Sequence, residues 1–522
     1  MKGGPLTSSL PPVTIVVPIY GDLPTLTSCI ESLKHNVDLN RNCVSLVNDC
    51  GPDADLIEAS VLAQIEGCSS IRYERNERNL GFVSTCNRAV RELDTTDNDI
   101  LLLNSDTVTT AGFLEEMSAV LHLSRLHGIV SPRSNNAFFA SIPFAVRDPS
   151  SRHEFARTAE VHAALSGTIR RYTIAPRAQG FCILVRRELI TQHGLFDGVF
   201  SPGYFEESDF CMRMNEFGYS SMLANRAMVF HFGSRSFERV MDSSLMSAHE
   251  KEFNRRHPSY WGAYQNYLFR DRDPVDVFAD ALIPGDAVRR VLVDIDAVPD
   301  VGLPSNTCAL VAALQEKSDS RLVASLSIPD DQRDRIAVQY PALEVIHHSR
   351  LQWLERLWDV AVIPADTVSR NQLIRLNQVS PRWVFTSTGI GVEHTWRERI
   401  SNLLSKTFAQ DAIAHANGII ALGIGVAAEL ESYAGTAIRH LSAGGVVELD
   451  SIDTDRIVQE IIERYGRSTI DIERLRVRWH YFVRLNCYTR ESFVRRVIRR
   501  VEYTAPRPVS YAKGVMTKLR GR

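Results

Sequence analysis

The chain has 522 residues, of which 44% are hydrophobic and 23% charged, so it can form two or more domains with large cores. These proportions exclude wholesale disorder, collagen-like repeats and a coiled coil as the overall architecture. The formal net charge is −3, but residues 474–522 carry 14 Arg or Lys against two acidic residues, which is +12 and leaves −15 for the other 473 residues. The composition therefore indicates an acidic globular body with a basic C-terminal segment.

The first half of the chain alternates predicted strands and helices. After a flexible lead over residues 1–12, β-branched runs predict strands, and apolar residues at helical spacing predict helices. The predicted strands are Val13–Val17, Cys43–Val47, Ile71–Glu74 and Ile100–Leu103, and the predicted helices run from Leu26 to Leu33, from Leu56 to Ile65 and from Phe82 to Leu93. This alternation predicts an α/β fold with a mostly parallel sheet and crossover helices.

A second alternating series follows residues 255–276, an aromatic and charged stretch that predicts a closing helix and a linker. The predicted strands of this series are Val291–Ile295, Leu322–Ser327, Leu343–Ile346, Val360–Ile363, Trp383–Thr386 and Gly418–Leu422. We therefore expect one α/β domain over residues 13–270 and a second, Rossmann-like α/β domain over residues 276–470.

The cysteines and the apolar runs indicate the compartment. The nine cysteines are scattered and include no CxxC pair, so neither a disulfide framework nor a zinc site is predicted. The first residues lack the apolar segment of a signal peptide, and no apolar run approaches the ~18 residues of a membrane-spanning helix. We expect a reducing, cytoplasmic setting.

Candidate chemical groups of the first domain stand in turns or directly after predicted strands. They are Asp49, Asp106, Glu206, Glu207, Asp209 and His231. Ligands collect outside the carboxyl ends of parallel strands, so these groups can converge although they are distant in sequence. The plain structural alternatives are a turn former at Asp49 and a helix N-cap at Asp106. For the acidic cluster the alternative is a solvated surface, and for His231 it is a core histidine.

Seven segments of the first half follow one another in a recognisable order. They are VTIVVPIYGDLPTLTSCIESL, LVNDCGPD, RNERNLGFVSTCNRAV, DILLLNSDTV, QGFCILVRREL, GLFDGVFSPGYFEESDFCMRMNEFGY and VFHFGSRSF, within about residues 13–237. Together they resemble the family 2 glycosyltransferases of the GT-A fold, particularly bacterial polysaccharide enzymes such as rhamnosyltransferases. The resemblance implies a GT-A domain that transfers a sugar from a nucleotide-sugar donor.

The resemblance assigns a nucleotide-sugar site to individual positions. The matching residues of the first three segments are Pro18, Ile19, Tyr20, Asp49, Asn79 and Gly81. The first three match a strand end that cradles the base, and Asp49 matches an acid that accepts a hydrogen bond from it. Glycine at position 81 would let the backbone approach the nucleotide where a side chain would collide.

The resemblance also implies a divalent metal. Asn104, Ser105 and Asp106 occupy the DxD position of the nucleotide-sugar site, and His231 matches a downstream histidine ligand. Asn104 departs from the family pattern by replacing the first acid, so Asp106 and His231 are the implied metal ligands. Either Mn²⁺ or Mg²⁺ would clamp the diphosphate, and imidazole ligation favours manganese.

Glu206 and Glu207 match the acidic pair of the family, whose second member is the general base. A sugar hydroxyl is a poor nucleophile, so a carboxylate must take its proton as it attacks the anomeric carbon. One displacement of this kind inverts the anomeric configuration. Glu207 is the expected base, and Asp209 is held in reserve.

The second half carries weaker signals. The segments RVLVDIDAVPDVGLPSNTCALVAAL and FAQDAIAHANGIIALGIGVAAELESY resemble parts of the Rossmann-like N-terminal half of a GT-B glycosyltransferase. The glycine-rich stretches do not form GxGxxG. Two interpretations stay open: a non-catalytic domain for acceptor binding, partner docking or dimerisation, and a second active site that would make the enzyme bifunctional.

The basic segment, residues 474–522, has an amphipathic pattern. Its apolar residues Phe482, Leu485, Phe493, Val494, Val497, Ile498 and Val501 fall largely on one helical face between arginines. The pattern fits a helix on an anionic membrane surface, and the alternative is a packed helix with a solvated basic back. No recognition motif accompanies the charge, so nucleic acid is not an expected partner.

We therefore expect an inverting, metal-dependent glycosyltransferase that extends a lipid-linked surface glycan of the O-antigen kind, at the inner face of the cytoplasmic membrane. The donor stays open between dTDP-rhamnose, a UDP-hexose and another activated sugar. A rival hypothesis is an assembly scaffold that has lost catalysis, suggested by Asn104 and by the weaker second half.

Overall fold

The computed structural model describes residues 10–142, 155–233, 243–268, 272–283, 289–296, 303, 305–318, 322–351, 357–364, 369–387, 416–422, 427–428, 446–449, 454–465 and 470–483. The chain divides into two compact units, Met1–Gly285 and Asp286–Arg522. Each unit is built around its own β-sheet.

Nine strands in the described ranges form the sheet of the first unit. They are β1 (Val13–Ile19), β2 (Cys43–Asn48), β3 (Ile71–Arg75), β4 (Asp99–Leu103), β5 (Thr107–Thr109), β6 (His127–Arg133), β7 (Tyr172–Ala175), β8 (Cys182–Val185) and β9 (Ser220–His231). The order is β3-β2-β1-β4-β8-β6-β9-β5, and β7 also pairs with β9. Strands β1 to β4 are parallel, as are β6 and β9, whereas β5, β7 and β8 are antiparallel to their neighbours. The predicted α/β class with a mostly parallel sheet is confirmed.

Helices pack on both faces of this sheet. They are α1 (Leu23–Asn36), α2 (Ala54–Ile65), α3 (Phe82–Arg88), α4 (Phe113–His122), α5 (Phe155–Leu165), α6 (Arg187–His193), α7 (Glu206–Glu216), α8 (Ser243–Arg256), α9 (Tyr260–Asn266), α10 (Pro274–Val277) and α11 (Ala279–Leu282). Alternate residues of β1 show the two faces, because Ile15 and Val17 pack in one apolar cluster with α1 and α4, and Val16 packs in another with α3 and α7.

Two predicted helices are interrupted. The helix predicted to end near Leu93 is α-helical only to Arg88 and continues as a π-helical turn, Ala89–Leu93. The predicted closing helix is divided between α8 and α9, with Pro258 between them. Proline has no backbone N–H and its ring clashes with the preceding helical turn, which explains the break.

Seven strands in the described part of the second unit form a wholly parallel sheet. They are β10 (Arg289–Asp294), β11 (Leu322–Ile328), β12 (Glu344–His347), β13 (Val360–Pro364), β14 (Arg382–Ser387), β15 (Gly418–Leu422) and β16 (Val446–Leu449). The order β12-β11-β10-β13-β14-β15-β16 reverses its direction between β10 and β13, as in a doubly wound, Rossmann-like sheet. The four residues of β16 gave too short a pattern for prediction.

Helices of the second unit border apolar clusters that draw on alternate residues of its strands. The helices are α12 (Ser305–Lys317), α13 (Arg333–Gln339), α14 (His348–Leu351), α15 (Arg370–Leu376), α16 (Thr454–Gln459) and α17, residues 472–483. A π-helical turn, Glu460–Tyr465, extends α16.

Helix α17 corrects the expected start of the basic segment. Phe482 is buried and its ring lies 5.2 Å from that of Trp383 in β14. The Arg478 guanidinium, also buried, lies 4.2 Å from the centre of the same indole ring. Residues 474–483 thus follow the alternative of a packed helix, and residues 484–522 lie outside the described residues. In the described part of the chain, no helix has the length and apolar character needed to cross a membrane.

Candidate functional site

A cavity of about 580 Å³ opens at the carboxyl ends of the strands of the first sheet. The structure places every predicted site residue except Asp209 on its wall. These residues are Pro18, Ile19, Tyr20, Asp49, Asn79, Gly81, Asn104, Ser105, Asp106, Glu206, Glu207 and His231. Further wall residues include Asn136, Phe138, Gly180, Phe181, Pro202, Tyr204 and Phe205. The fold therefore gathers groups that lie more than 200 residues apart, between Pro18 and His231.

Asp49 organises the loop that forms one end of the cavity. Its Oδ1 accepts hydrogen bonds from Asn76 Nδ2 at 2.7 Å, Thr85 Oγ1 at 2.7 Å and the Leu80 N–H at 2.8 Å. Its Oδ2 accepts one from the Gly81 N–H at 2.9 Å. These bonds join β2 to the start of α3, so Asp49 does more than form a turn.

Gly81 has two structural reasons to be glycine that the sequence did not show. Its φ is +82°, a conformation that L side chains rarely adopt. A Cβ at this position would lie 2.7 Å from the Pro202 Cβ and 3.0 Å from its Cα. The backbone at Gly81 thus closely approaches Pro202, which brings the loop after β3 against the segment that precedes α7. The predicted approach to a nucleotide stays a prediction.

Asp106 and His231 face each other because their strands pair. Thr107 in β5 is directly opposite His231 in β9, and the Phe232 N–H donates to the Asp106 carbonyl oxygen at 3.0 Å. This register places His231 Nε2 3.4 Å from Asp106 Oδ1. Helix α4 begins at Phe113 with Gly112 as its N-cap, so the N-cap alternative for Asp106 is wrong.

The ring of His231 is oriented for ligation. Its Nδ1 lies 2.9 Å from the Asn136 carbonyl oxygen, which can only accept, so Nδ1 carries the proton and donates. The ring also stacks on Phe181, with centroids 5.1 Å apart. In the neutral ring, Nε2 then presents its lone pair towards Asp106, the arrangement by which outer contacts orient a histidine ligand.

This pair fits a divalent cation that is shared with a ligand. Within the described residues, no group of three or more His, Cys, Asp and Glu could hold a metal ion by itself. Asp106 and His231 would therefore supply two ligands, one oxygen and one nitrogen, and phosphate oxygens and water would complete the coordination. Such a mixed donor set suits Mn²⁺.

Helix α7 begins in the wall of the cavity. The two residues before it, Tyr204 and Phe205, both have φ +73°. Non-glycine residues in this region cost about 1–3 kcal/mol each and cluster at functional sites. The turn starts the helix at Glu206, so that Glu206 and Glu207 both line the cavity.

The two glutamates have unlike surroundings. Arg177 Nη1 donates to Glu207 Oε1 at 2.5 Å. Glu206 is 7% exposed, and its Oε2 has no hydrogen-bond partner among the described residues. Burial raises the pKa of the Glu206 carboxyl well above its usual range, and the neighbouring charge of Glu207 adds to the shift. The cavity thus holds one buried carboxyl group with a raised pKa, Glu206, and one that is paired with the Arg177 guanidinium, Glu207.

The structure does not support Asp209 as a reserve base. Its carboxylate is fully buried, and it binds Arg213 Nε at 2.8 Å and His257 Nε2 at 3.0 Å. Arg256 adds a third contact at 3.4 Å. A helix has 3.6 residues per turn, so a residue two positions after Glu207 points to the other side. Asp209 joins α7 to α8 instead of facing the cavity.

Sequence reasoning missed Arg177, Asn136 and Pro202. Arg177 has a weak signal, since it stands just before the QGFCILV segment. Asn136 acts through its backbone carbonyl, which any residue could supply. Pro202 acts by filling space beside Gly81. Tertiary packing brings these groups to the cavity, and no spacing in the sequence announces them.

Residues 14–193 match the family model described as Glycosyl transferase family 2. No curated protein matches the sequence significantly.

Three solved structures are similar to about half of the chain. The mannosyltransferase PcManGT from Pyrobaculum calidifontis, in complex with GDP-Man and Mn²⁺, is 16% identical, with a TM-score of 0.36 over 52% of this chain and 73% of that chain. GalNAc-T7 with UDP, GalNAc and Mn²⁺ is 14% identical, with a TM-score of 0.38 over 51% of this chain and 52% of its own. S. aureus TarS 1-349 is 14% identical, with a TM-score of 0.31 over 50% of this chain and 76% of its own.

The family match and the cavity fall in the same unit of the chain. Residues 14–193, which include Asp49 and Asp106 of the cavity wall, form a family 2 glycosyltransferase domain. The match covers 180 of the 522 residues.

Proposed function

We propose that the first unit is an inverting, metal-dependent glycosyltransferase that moves a hexose or deoxyhexose to a hydroxyl of a growing lipid-linked surface glycan. One observation carries the proposal: Glu207, Asp106 and His231 line the same cavity as the residues that match the nucleotide site. A base, a metal pair and a nucleotide pocket in one cavity are the parts that such a transfer needs.

The donor would bind with its base beside Pro18, Ile19 and Tyr20. Asp49 is positioned at the same end and already orders the Asn79 to Gly81 loop through its hydrogen bonds. Asn104 and Ser105 line the same cavity directly before Asp106 in the chain, and their amide and hydroxyl could bond to ribose or to a metal-bound water.

Asp106 and His231 would hold the cation. When bound, Mn²⁺ or Mg²⁺ offsets the negative charge that grows on the diphosphate as it leaves. Asp106 provides the carboxylate that a hard cation prefers, and His231 adds the nitrogen that favours Mn²⁺.

Glu207 would act as the base. The acceptor oxygen forms its bond to the anomeric carbon while its proton passes to the Glu207 carboxylate. The bond between that carbon and the diphosphate breaks, and its electron pair leaves with the nucleoside diphosphate. A single attack from the opposite face inverts the anomeric centre.

The test is a donor screen with the purified full chain. UDP-, GDP- and dTDP-sugars are offered with candidate glycan acceptors in the presence of Mn²⁺, Mg²⁺ or EDTA. Release of nucleoside diphosphate is measured, and proton NMR reads the anomeric configuration of the product. We expect one donor class to turn over with metal and to give the inverted anomer. Retention of configuration, or equal turnover in EDTA, would contradict the proposal.

The rival hypotheses give other outcomes in the same screen. A scaffold without catalysis would release no nucleotide from any donor. A bifunctional enzyme would keep metal-dependent transfer from a second donor when Asp106→Asn abolishes transfer from the first.

The basic C-terminal segment supports a peripheral place at an anionic membrane. Without Arg474, Arg476 and Arg478 of α17, 11 of its 14 Arg and Lys residues remain in residues 484–522, against two acidic residues. Cationic residues near an anionic surface contribute about 1 kcal/mol each. The chain should float with vesicles that contain anionic lipid, and deletion of residues 484–522 should abolish flotation. Unchanged flotation of the shortened chain would remove this proposal.

A further inference from the structure

The acidic pair at the start of α7 is divided by its contacts. Glu207 is bound by a guanidinium, whereas Glu206 is buried beside it with one oxygen that has no partner among the described residues. We propose that Arg177 is a positioning residue that holds Glu207 as the charged base, while Glu206 stays neutral and donates a hydrogen bond into the cavity. This inference rests on the proposed role of Glu207 in glycosyl transfer.

Arg177 is itself held in place by its contacts. Its Nη1 donates to Glu207 Oε1 at 2.5 Å and to the Ala178 carbonyl oxygen at 3.3 Å. The Tyr260 side chain of α9, which is 2% exposed, is an electrostatic neighbour of Arg177. A guanidinium does not lose its proton in a protein, so this contact supplies a fixed positive charge in a fixed direction.

Glu207 is also confined by Gly180. A Cβ at position 180 would lie 3.5 Å from the Glu207 Cγ, so the carboxylate side chain packs directly against this glycine. Both residues line the cavity. Since Arg177 binds Oε1, Oε2 is left to take a proton from a hydroxyl in the cavity.

The charges around Glu206 and Glu207 favour a state in which the two carboxyl groups together hold one proton. Two ionised carboxylates side by side repel each other, and Arg177 offsets one of them. The other titratable groups that face the pair are Tyr260 and Tyr264 from α9, Cys211 from α7 and Cys86 from α3. Burial raises the pKa of the Cys86 thiol well above its usual range. Burial raises the pKa of Tyr260 to about 12 and that of Cys211 to about 11, so both stay neutral near pH 7. Environments that separate two carboxyl groups in this way assign one as base and the other as donor.

The proton count of the transfer agrees with this division. The proton of the acceptor hydroxyl goes to Glu207, and the electron pair of the broken bond leaves with the nucleoside diphosphate. Glu206 keeps its own proton throughout and can bond to a sugar oxygen. The pair therefore starts each turnover with one proton and needs to release only the one that it received.

The direct test is the titration of Glu207 in the full chain without any donor. The chain is labelled with carbon-13 at the side-chain carboxyl of glutamate, and the carboxyl resonances are followed by NMR as the pH changes. The resonance that disappears in Glu207→Gln is assigned to Glu207. We expect Arg177→Met to move its titration midpoint upward by roughly one to three pH units, because an opposite charge within a few ångströms is lost. Arg177→Lys should restore most of the shift. An unchanged midpoint in Arg177→Met overturns the inference.

Two further variants keep this test decisive. Arg213→Met removes an arginine of α7, the helix that carries Glu207, but this arginine binds Asp209, so the variant should lower stability without moving the Glu207 midpoint. If Arg177→Met does not fold, Arg177→Gln removes the charge and keeps a hydrogen bond. The titration needs no donor, so its result is independent of the donor screen. A failed screen would remove the proposed function, and the titration would still show whether Arg177 holds Glu207 charged.

The kinetic test uses the donor that the screen identifies. Arg177→Met should lower kcat at pH 7 at least tenfold, leave the donor KM within about twofold, and move the acid limb of the kcat profile upward. Arg177→Lys should recover most of kcat. A change in KM alone, with an unshifted pH profile, would show a structural role and contradict the positioning of Glu207.

Discussion

The two units place an aspartate at the carboxyl edge of their sheets and surround it differently. In the first unit, Asp106 follows β4, lines the cavity and lies 3.4 Å from His231. In the second, Asp294 ends β10 beside the reversal of strand order, and it is fully buried. Arg375 Nη2 donates to its Oδ1 at 2.7 Å, and Gln372 Nε2 donates to the same oxygen at 3.0 Å.

The difference shows that a position at the carboxyl edge of a sheet does not by itself give an aspartate a chemical role. Both aspartates stand where parallel strands collect ligands. Asp294 is neutralised by a side chain of α15, which ties this helix to the end of β10. Asp106 has an imidazole beside it and the cavity in front. The charge and exposure of the neighbours, not the place at the sheet edge, separate a chemical site from a structural ion pair.

The largest expected contrast comes from the same substitution at both positions. Asp106→Asn removes a carboxylate ligand and should lower metal-dependent transfer at least about 100-fold, with little change in stability. Asp294→Asn removes the buried carboxylate that Arg375 binds at 2.7 Å, leaves it with Asp296 at 3.2 Å, and should lower the free energy of unfolding by about 3 kcal/mol. Transfer by Asp294→Asn should stay near the wild-type rate.

Turnover with Mn²⁺ and unfolding in denaturant measure the two effects. The comparison breaks if Asp294→Asn loses transfer while it remains folded, because the second unit would then take part in the chemistry. It also breaks if Asp106→Asn retains full activity.

A matched pair of glycines tests the packing that shapes the cavity. Gly81 and Gly67 have nearly the same φ, +82° and +79°, but a Cβ would meet Pro202 only at Gly81, and Gly67 has open space. Alanine at either position costs about 1–2 kcal/mol for the backbone conformation. Gly81→Ala should cost about 1–3 kcal/mol more because of the added contact. Equal losses of unfolding free energy in the two variants would show that Pro202 moves away from the added methyl group at no cost.

The smallest expected effect is a pH dependence of stability due to Glu206. Below its ordinary pKa of 4.5, this carboxyl is protonated in both the folded and the unfolded chain. Above 4.5 the unfolded chain loses the proton and the folded chain keeps it, so the free energy of unfolding falls as the pH rises towards the raised folded pKa. The slope is at most about 1.4 kcal/mol for each pH unit.

Glu206→Gln removes this slope because an amide does not titrate. The variant should gain stability relative to the wild type between pH 5 and pH 7 in denaturant unfolding. Parallel pH profiles of the two proteins would mean that Glu206 ionises in the folded chain. The division of the acidic pair would then need another cause.

The sequence predicted the parts of the first unit that depend on local pattern. Alternating apolar runs predicted β1 to β4 to within about two residues at each end, because buried parallel strands are short and rich in β-branched residues. Ordered motifs led to Asp49, Asp106 and His231, which the fold brings to one cavity.

Other features depend on long-range packing, and one depends on the helical periodicity of α7, which the prediction did not use. Arg177, which lies between β7 and β8, binds Glu207 of α7, and Pro202 lies against Gly81. Helical periodicity alone would have separated Asp209 from Glu207. Helix α17 packs on Trp383 of β14, about 100 residues earlier in the chain. The basic composition of the segment could therefore not show that its first part is packed.

The central claim is that Glu207 is the base of a transfer that occurs in the cavity of the first unit. The most direct measurement compares the wild type and Glu207→Gln in turnover of the identified donor, with calorimetric binding of the nucleotide and Mn²⁺ as the control. We expect turnover to fall at least about 100-fold while nucleotide affinity changes less than about threefold. Full turnover by Glu207→Gln, with nucleotide binding intact, would contradict the claim.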